Sequence, residues 1–176
     1  MQIEKAAAIG GWMSVPELMW LATQASTHKR IVEVGSWQGR TTRVLADNTA
    51  GEVFAVDTWK CIPALKSHWQ GDGEWLWNAF QANLSDLSNV HPIRSTSLDA
   101  AQQLMQSQFD MIFIDACHDY ESVAADIKAW EPLLISGGLL CGHDYADPDY
   151  GVTKAVNELL PEAVCVVDSI WAMTKR

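Results

Sequence analysis

The chain has 176 residues and a formal net charge of −10, enough length for one domain that buries roughly two-thirds of its unfolded surface but not for a second core. No lysine or arginine run exceeds the pair Lys29-Arg30, so the electrostatic footprint of a nucleic-acid binder is missing and a small or neutral substrate is expected. Four cysteines stand apart without a C-x-x-C pair, which disfavours a zinc site and a disulfide framework; with no basic-then-apolar leader and no stretch near the ~18 apolar residues of a membrane span, the expectation is a soluble cytoplasmic protein folded as one domain over residues 1–176.

In chain order, Val15 to Ala25 carries apolar residues at helical spacing, with Ser14 as cap, Pro16 in the first turn and Glu17 at the capping-box offset. Ile31 to Val34 reads as a strand covered on both faces, interrupted by a carboxylate, Glu33, that needs a reason. Gly35 and Gly39 follow, letting the backbone turn sharply and lie close to a ligand. Thr41 to Asn48 is then helical, and a second strand ends at Asp57. Lys60 to Gly73 is irregular, with Pro63 and Gly71 inside it, and Glu74 to Leu84 is helical. Val90 to Arg94 is a short strand, and Ser95, Thr96 and Ser97 open a helix over Leu98 to Gln106. Met111 to Ile114 is a buried strand that stops at Asp115, followed by a helix over Tyr120 to Trp130. Gly137-Gly138 reads as a turn before a strand that ends at His143-Asp144. Val152 to Leu160 is helical, and Val164 to Val167 with Ile170 to Thr174 form a hairpin around Asp168-Ser169.

This alternation predicts a doubly wound, mostly parallel α/β sheet with a C-terminal antiparallel hairpin. Ligands of such sheets sit beyond the carboxyl ends of the strands, where Glu33, Asp57, Asp115 and Asp144 gather on one rim. A dinucleotide fold wants G-x-G-x-x-G in its first turn, whereas Gly35 and Gly39 enclose Trp37 where a pyrophosphate needs close approach; NAD is disfavoured. Asp57, past this loop at the end of strand two, suits the hydroxyls of a ribose, with a turn cap as the bland alternative. His28, His68 and His91 read as ordinary polar residues. Trp12, Trp20, Trp130 and Trp171 are expected to pack in the core or against the terminal helix, while Trp69, Trp75 and Trp77 either wall a substrate site or cover the sheet. Cys117 lies in an acidic setting expected to raise its thiol pKa, which disfavours a nucleophile.

The E-V-G-x-x-x-G loop, the acidic end of strand two, the hydroxyl cluster and the strand FDMIFID resemble, in order and spacing, the landmarks of the class I S-adenosylmethionine-dependent methyltransferases. More narrowly, D-x-x-H-x-Y from Asp115 and GG-x(4)-HDY from Gly137 are similar to the branch of the sugar and macrolide O-methyltransferases and cephalosporin-hydroxylase-like proteins. The resemblance implies a Rossmann-like sheet and S-adenosylmethionine as cofactor. Glu33, Gly35, Ser36 and Gly39 would line its methionine end. Asp57 and Thr58 would hold the ribose, Trp59 would lie beside the nucleoside and Ser97 near the adenine. Asp115 would stand at the transfer centre, and His118 falls where related catechol-type enzymes carry a general base.

Asp144 matches a carboxylate that, with Asp115, binds a divalent cation (Mg²⁺ or Mn²⁺) in metal-dependent members. Those members show an acidic pair or Asp-Asn at the second position, whereas this chain has His143-Asp144-Tyr145, which leaves His143 as ligand, second base or substrate contact. The implied activity is O-methylation of a hydroxyl of a sugar or small natural product, with an inactive S-adenosylmethionine-binding module as the alternative. The short N-terminal segment suggests that a second subunit completes the acceptor site, as a homo-oligomer would.

Overall fold

The computed structural model describes residues 1–60 and 73–176; Cys61, Pro63, His68, Trp69 and Gly71 lie outside the described residues. The strands are β1 (Arg30–Val34), β2 (Glu52–Asp57), β3 (Val90–Arg94), β4 (Phe109–Ile114), β5 (Leu134–Gly142), β6 (Val164–Val167) and β7 (Ile170–Thr174). The helices are α1 (Glu4–Ala8), α2 (Val15–Ala25), α3 (Arg40–Asn48), α4 (Gly73–Asn83), α5 (Ser97–Gln103), α6 (Tyr120–Trp130) and α7 (Val152–Leu159). The sheet runs β3-β2-β1-β4-β5-β7-β6, parallel from β3 through β5 and antiparallel from there to β7 and β6. The expected architecture is therefore present, hairpin included.

Helices cover both faces because the strands are apolar on both. Val32 and Val34 face a cluster with Val123, Ile127 and Trp130 of α6 and Val152 and Val156 of α7. Ile31, one residue off in the pleat, faces Leu18 and Leu21 of α2 and Val44 and Leu45 of α3. The same alternation aims Glu33 at α3. Chain order reverses across β1, since β2 lies on one side of it and β4 on the other, which opens a crevice at the carboxyl ends of these two strands.

Two sequence expectations change, and one helix is added. Gly137-Gly138 is not a turn between elements but an irregularity inside β5: Phe109 pairs with Leu134 while Met111 already pairs with Leu139, and Gly137 takes up the extra length at a φ of +80°. The helix α1, only five residues long, lies below the length at which apolar periodicity can be read. Trp12 is 65% exposed rather than in the core. Its segment is strapped down through backbone, with the Arg40 guanidinium donating to the carbonyls of Ile9 at 2.6 Å and Met13 at 2.8 Å, and the indole is left outside, 5.3 Å from the Trp37 ring. Trp130 and Trp171 are fully packed as expected.

Candidate active site

The first loop is built around one close crossing. Gly35 has a φ of +95°, and a Cβ there would lie 1.9 Å from the Asp115 carbonyl oxygen, so only glycine lets β1 turn against the end of β4. The crossing is stitched by the Asp115 amide donating to the Val34 carbonyl at 2.7 Å and the Gly35 amide donating to that of Val56 at 2.8 Å. Gly39, at a φ of +87°, starts α3, and a Cβ there would press on Phe80 and Leu84 of α4. One glycine thus serves the rim and the other serves packing.

Behind the loop, Glu33 is fully buried and accepts a short hydrogen bond from the Thr42 hydroxyl. Its other oxygen, Oε1, has no hydrogen-bond partner among the described residues, and neither has the buried Ser36 hydroxyl. Burial pushes the Glu33 pKa up to about 8, opposed by the Thr42 hydroxyl and reinforced by the charges of Asp115 and Asp57. An acid whose folded pKa is raised contributes nothing below its ordinary value of 4.5, where both states hold the proton. It costs stability increasingly up to pH 8, because the unfolded chain ionises first. At about 1.4 kcal/mol per unit this reaches on the order of 3–5 kcal/mol. Glu33→Gln is therefore expected to gain on the ligand-free wild type in denaturant stability as pH rises from 5 to 8; a pH-independent difference would contradict the buried, protonated carboxyl.

Asp57 ends β2 with both oxygens toward backbone amides: Oδ2 accepts from Trp37 at 2.9 Å and Oδ1 from Trp59 at 2.8 Å. It therefore organises the loop through the backbone on both sides. Burial still raises its pKa, with these amides acting against the rise. Thr58 accepts a hydrogen bond from the Lys60 amide at 3.2 Å. Trp59 is 0% exposed, its ring 4.7 Å from Trp77 and 4.5 Å from Phe80, and its Nε1 donates to the Trp37 carbonyl at 2.8 Å. The structure does not bring this indole to the rim; it supports the Trp37 turn from below. Trp77 thus acts as cover over the sheet, while Trp75 is exposed. Ser97 caps no helix, that role falling to Thr96. Its hydroxyl bonds Asp126 and accepts from the Trp130 indole at 2.9 Å. The buried Asp126, which the sequence reading missed, has its pKa pushed up to about 6 by burial against the pull of Ser97.

The third group does converge. Asp115, His118 and Asp144 each offer a ligand atom within 4.8 Å of the others. His118 Nε2 lies 3.1 Å from Asp144 Oδ2 and 3.9 Å from Asp115 Oδ1, and its ring packs at a tilt against that of Tyr150, the centroids 4.4 Å apart. Burial raises the Asp115 pKa, and the Asp144 charge adds to the rise while His143 and His118 oppose it. Asp144 has a φ of +61°, a strained value for a residue with a side chain. Beside it, His143 places Nδ1 3.2 Å from Asp144 Oδ1 and Nε2 3.2 Å from Glu17 Oε1. Burial disfavours its charge, but the hydrogen bonds to Asp144 and Glu17 prevail and push its pKa up to about 10. Both ring nitrogens of His143 thus meet a carboxylate, Nδ1 that of Asp144 and Nε2 that of Glu17. Glu17 was legible only as a capping residue.

Two carboxylates and an imidazole make a donor set that suits a divalent cation, and the crossing at Gly35 with unpartnered Glu33 Oε1 and Ser36 Oγ suits a ligand bearing an ammonium group. No helix among the described residues is long and apolar enough to cross a membrane. The sequence model of the family described as Methyltransferase domain matches residues 32–145. An uncharacterized protein, y4gI, of Sinorhizobium fredii is 30% identical over 145 residues, 76% of this chain but only 15% of that protein's length. In fold, the chain is similar to the O-methyltransferase from Bacillus cereus in complex with SAH, with 20% identity over 97% of this chain and 87% of that one and a TM-score of 0.70. It is also similar to CalS11, a TDP-rhamnose 3'-O-methyltransferase of calicheamicin biosynthesis, with 15% identity over 89% and 76% of the two chains and a TM-score of 0.64. The rim that the sheet builds and the family match over most of the strands agree: the chain belongs to the methyltransferase-domain family, with the fold of the class I S-adenosylmethionine-dependent methyltransferases.

Proposed function

We propose that this domain transfers a methyl group from S-adenosylmethionine to a hydroxyl of a sugar or small natural product, with His118 as general base. The observation that carries the reading is the His118 imidazole held 3.1 Å from Asp144 at the carboxyl ends of the central strands. S-adenosylmethionine supplies an electrophilic methyl on a sulfonium, so the protein has to align an oxygen nucleophile and take its proton. Glu33 Oε1 and Ser36 Oγ would receive the methionine ammonium, Asp57 and Thr58 the ribose, and the backbone at Ser97 the adenine edge. Asp115 would stand beside the transferred group. Asp144, 3.1 Å from Nε2, would keep the proton on that nitrogen, and the lone pair on Nδ1 would then take the acceptor proton. Asp144 and Asp115 then stabilise the imidazolium. The half-exposed Tyr150 ring against His118 offers an apolar face for the CH groups of a sugar, and the fold likeness to a sugar O-methyltransferase supports that class. The net charge of −10 disfavours a nucleic-acid acceptor.

A second reading is favoured by the donor cluster: Asp115, His118 and Asp144 would hold Mg²⁺ or Mn²⁺, whose chemistry is to lower the pKa of a bound hydroxyl. Labelled methyl transfer to a panel of glycosides and phenols, with and without EDTA, tests both. Turnover that survives EDTA supports His118 as base; turnover lost with EDTA and restored by Mn²⁺ supports the cation; binding of the cofactor without turnover on any hydroxyl contradicts the proposal.

A further inference from the structure

Glu17 lies on α2, remote in sequence from the strand ends, yet its two oxygens do separate things. Oε2 accepts from the Ser14 amide at 2.7 Å, and the Glu17 amide donates to the Ser14 hydroxyl at 3.3 Å, which completes a capping box. That task uses one oxygen. The other, Oε1, accepts from the Ser169 amide at 3.0 Å and hydroxyl at 2.8 Å in the β6–β7 turn and lies 3.2 Å from His143 Nε2. From His143 the chain of contacts continues through Nδ1 to Asp144 Oδ1 at 3.2 Å, then from Oδ2 of the same carboxylate to His118 Nε2 at 3.1 Å. Glu17 and His143 are 2% and 8% exposed, so water does not compete for the contact between them.

We propose that Glu17 is a positioning residue for methyl transfer. By holding the His143 ring, it ties down Oδ1 of Asp144 and leaves Oδ2 to orient His118. The inference rests on the reading of His118 as base. Helix capping gives no reason for Oε1 to be buried against a strand-end histidine and a hairpin turn, whereas fixing Asp144 does: its backbone is in a strained left-handed conformation at a φ of +61°, and such strain persists only where the surroundings over-determine the residue. Without Glu17, Nε2 of His143 would retain only the Ser169 hydroxyl, at 2.8 Å, and the ring could tilt away from Asp144.

The test uses the full chain and three variants. Glu17→Ala is expected to lower kcat by about 10- to 100-fold, the usual effect of removing a partner that orients a working group, with the affinity for S-adenosylhomocysteine and the acceptor KM within a few fold of wild type. Glu17→Gln can turn its amide oxygen to His143 and Ser169 and is expected to recover most of that loss. Ser14→Ala removes the cap hydroxyl, which also meets Asp168, and is expected to lower Tm while leaving kcat unchanged. The imidazole ¹⁵N signals give an answer that does not depend on turnover: Glu17→Ala is expected to shift those of both His143 and His118, and Ser14→Ala neither. Unmoved His118 signals in Glu17→Ala, or kcat losses that follow Tm equally in the Ala variants of Glu17 and Ser14, would overturn the proposal. Moved signals in a chain that turns over no acceptor would uphold the positioning role and overturn only the assigned reaction.

Discussion

Gly35→Ala is expected to lose cofactor binding and to unfold well below the wild type. The new Cβ would stand 1.9 Å from the Asp115 carbonyl oxygen and 2.5 Å from its carbon, both backbone atoms, at a φ of +95°. No rotamer relieves that contact. Relief requires β1 and β4 to part at the rim, where the Asp115 amide holds the Val34 carbonyl at 2.7 Å. The combined steric and conformational cost is about 3–5 kcal/mol, a fall in Tm on the order of 10 °C for a domain of this size. Gly137→Ala is the control, because its φ of +80° is equally unfavourable but nothing lies within 4 Å of a Cβ there. It should cost only about 1 kcal/mol. Differential scanning calorimetry of the two variants decides the point; equal shifts would mean that the close crossing at Gly35 contributes nothing beyond its backbone angle.

His118→Ala is expected to lower kcat by about 10²- to 10⁴-fold, the range associated with a positioned general base, while S-adenosylhomocysteine binds as in wild type. The side chain is 36% exposed and its polar neighbours, Asp144 and Asp115, are themselves partly open. Its removal therefore leaves no buried charge alone, and stability should change by less than about 1 kcal/mol. Single-turnover kinetics with saturating cofactor separates this chemical effect from binding. A variant that keeps its rate, or loses it only through weaker cofactor binding, would remove His118 from the reaction.

The fold was legible because the central strands β1, β2, β4 and β5 carry apolar residues on both faces and three of them run into an acidic residue, Asp57, Asp115 or Asp144, at or just past their ends. Asp115, His118 and Asp144 were legible for the same reason, each falling at or just past a strand end, and the sheet brings them together. What escaped was long-range. Glu17 satisfies a local capping rule so completely that nothing in the sequence points to its second oxygen, 152 positions from Ser169. Asp126 sits in mid-helix, where a carboxylate reads as solvated surface until the Ser97 hydroxyl and Trp130 indole are seen beside it. Trp59 shows the reverse case: its position in the chain suggested a ligand contact, but the aromatic side chains of α4 bury it. Burial of an aromatic depends on which helix folds over it, information that a local window does not hold.

The central claim is that the crevice between β1 and β4 holds S-adenosylmethionine, and titration calorimetry with S-adenosylhomocysteine tests it most directly. The account predicts one site with a Kd between about 1 µM and 1 mM, the range of ordinary enzyme ligands. It also predicts at least tenfold weaker binding for Asp57→Ala, since charge-assisted hydrogen bonds are worth about 1.5–3 kcal/mol each. NAD should give no heat. Absence of S-adenosylhomocysteine binding to the folded chain, or tight binding of NAD in its place, would contradict it.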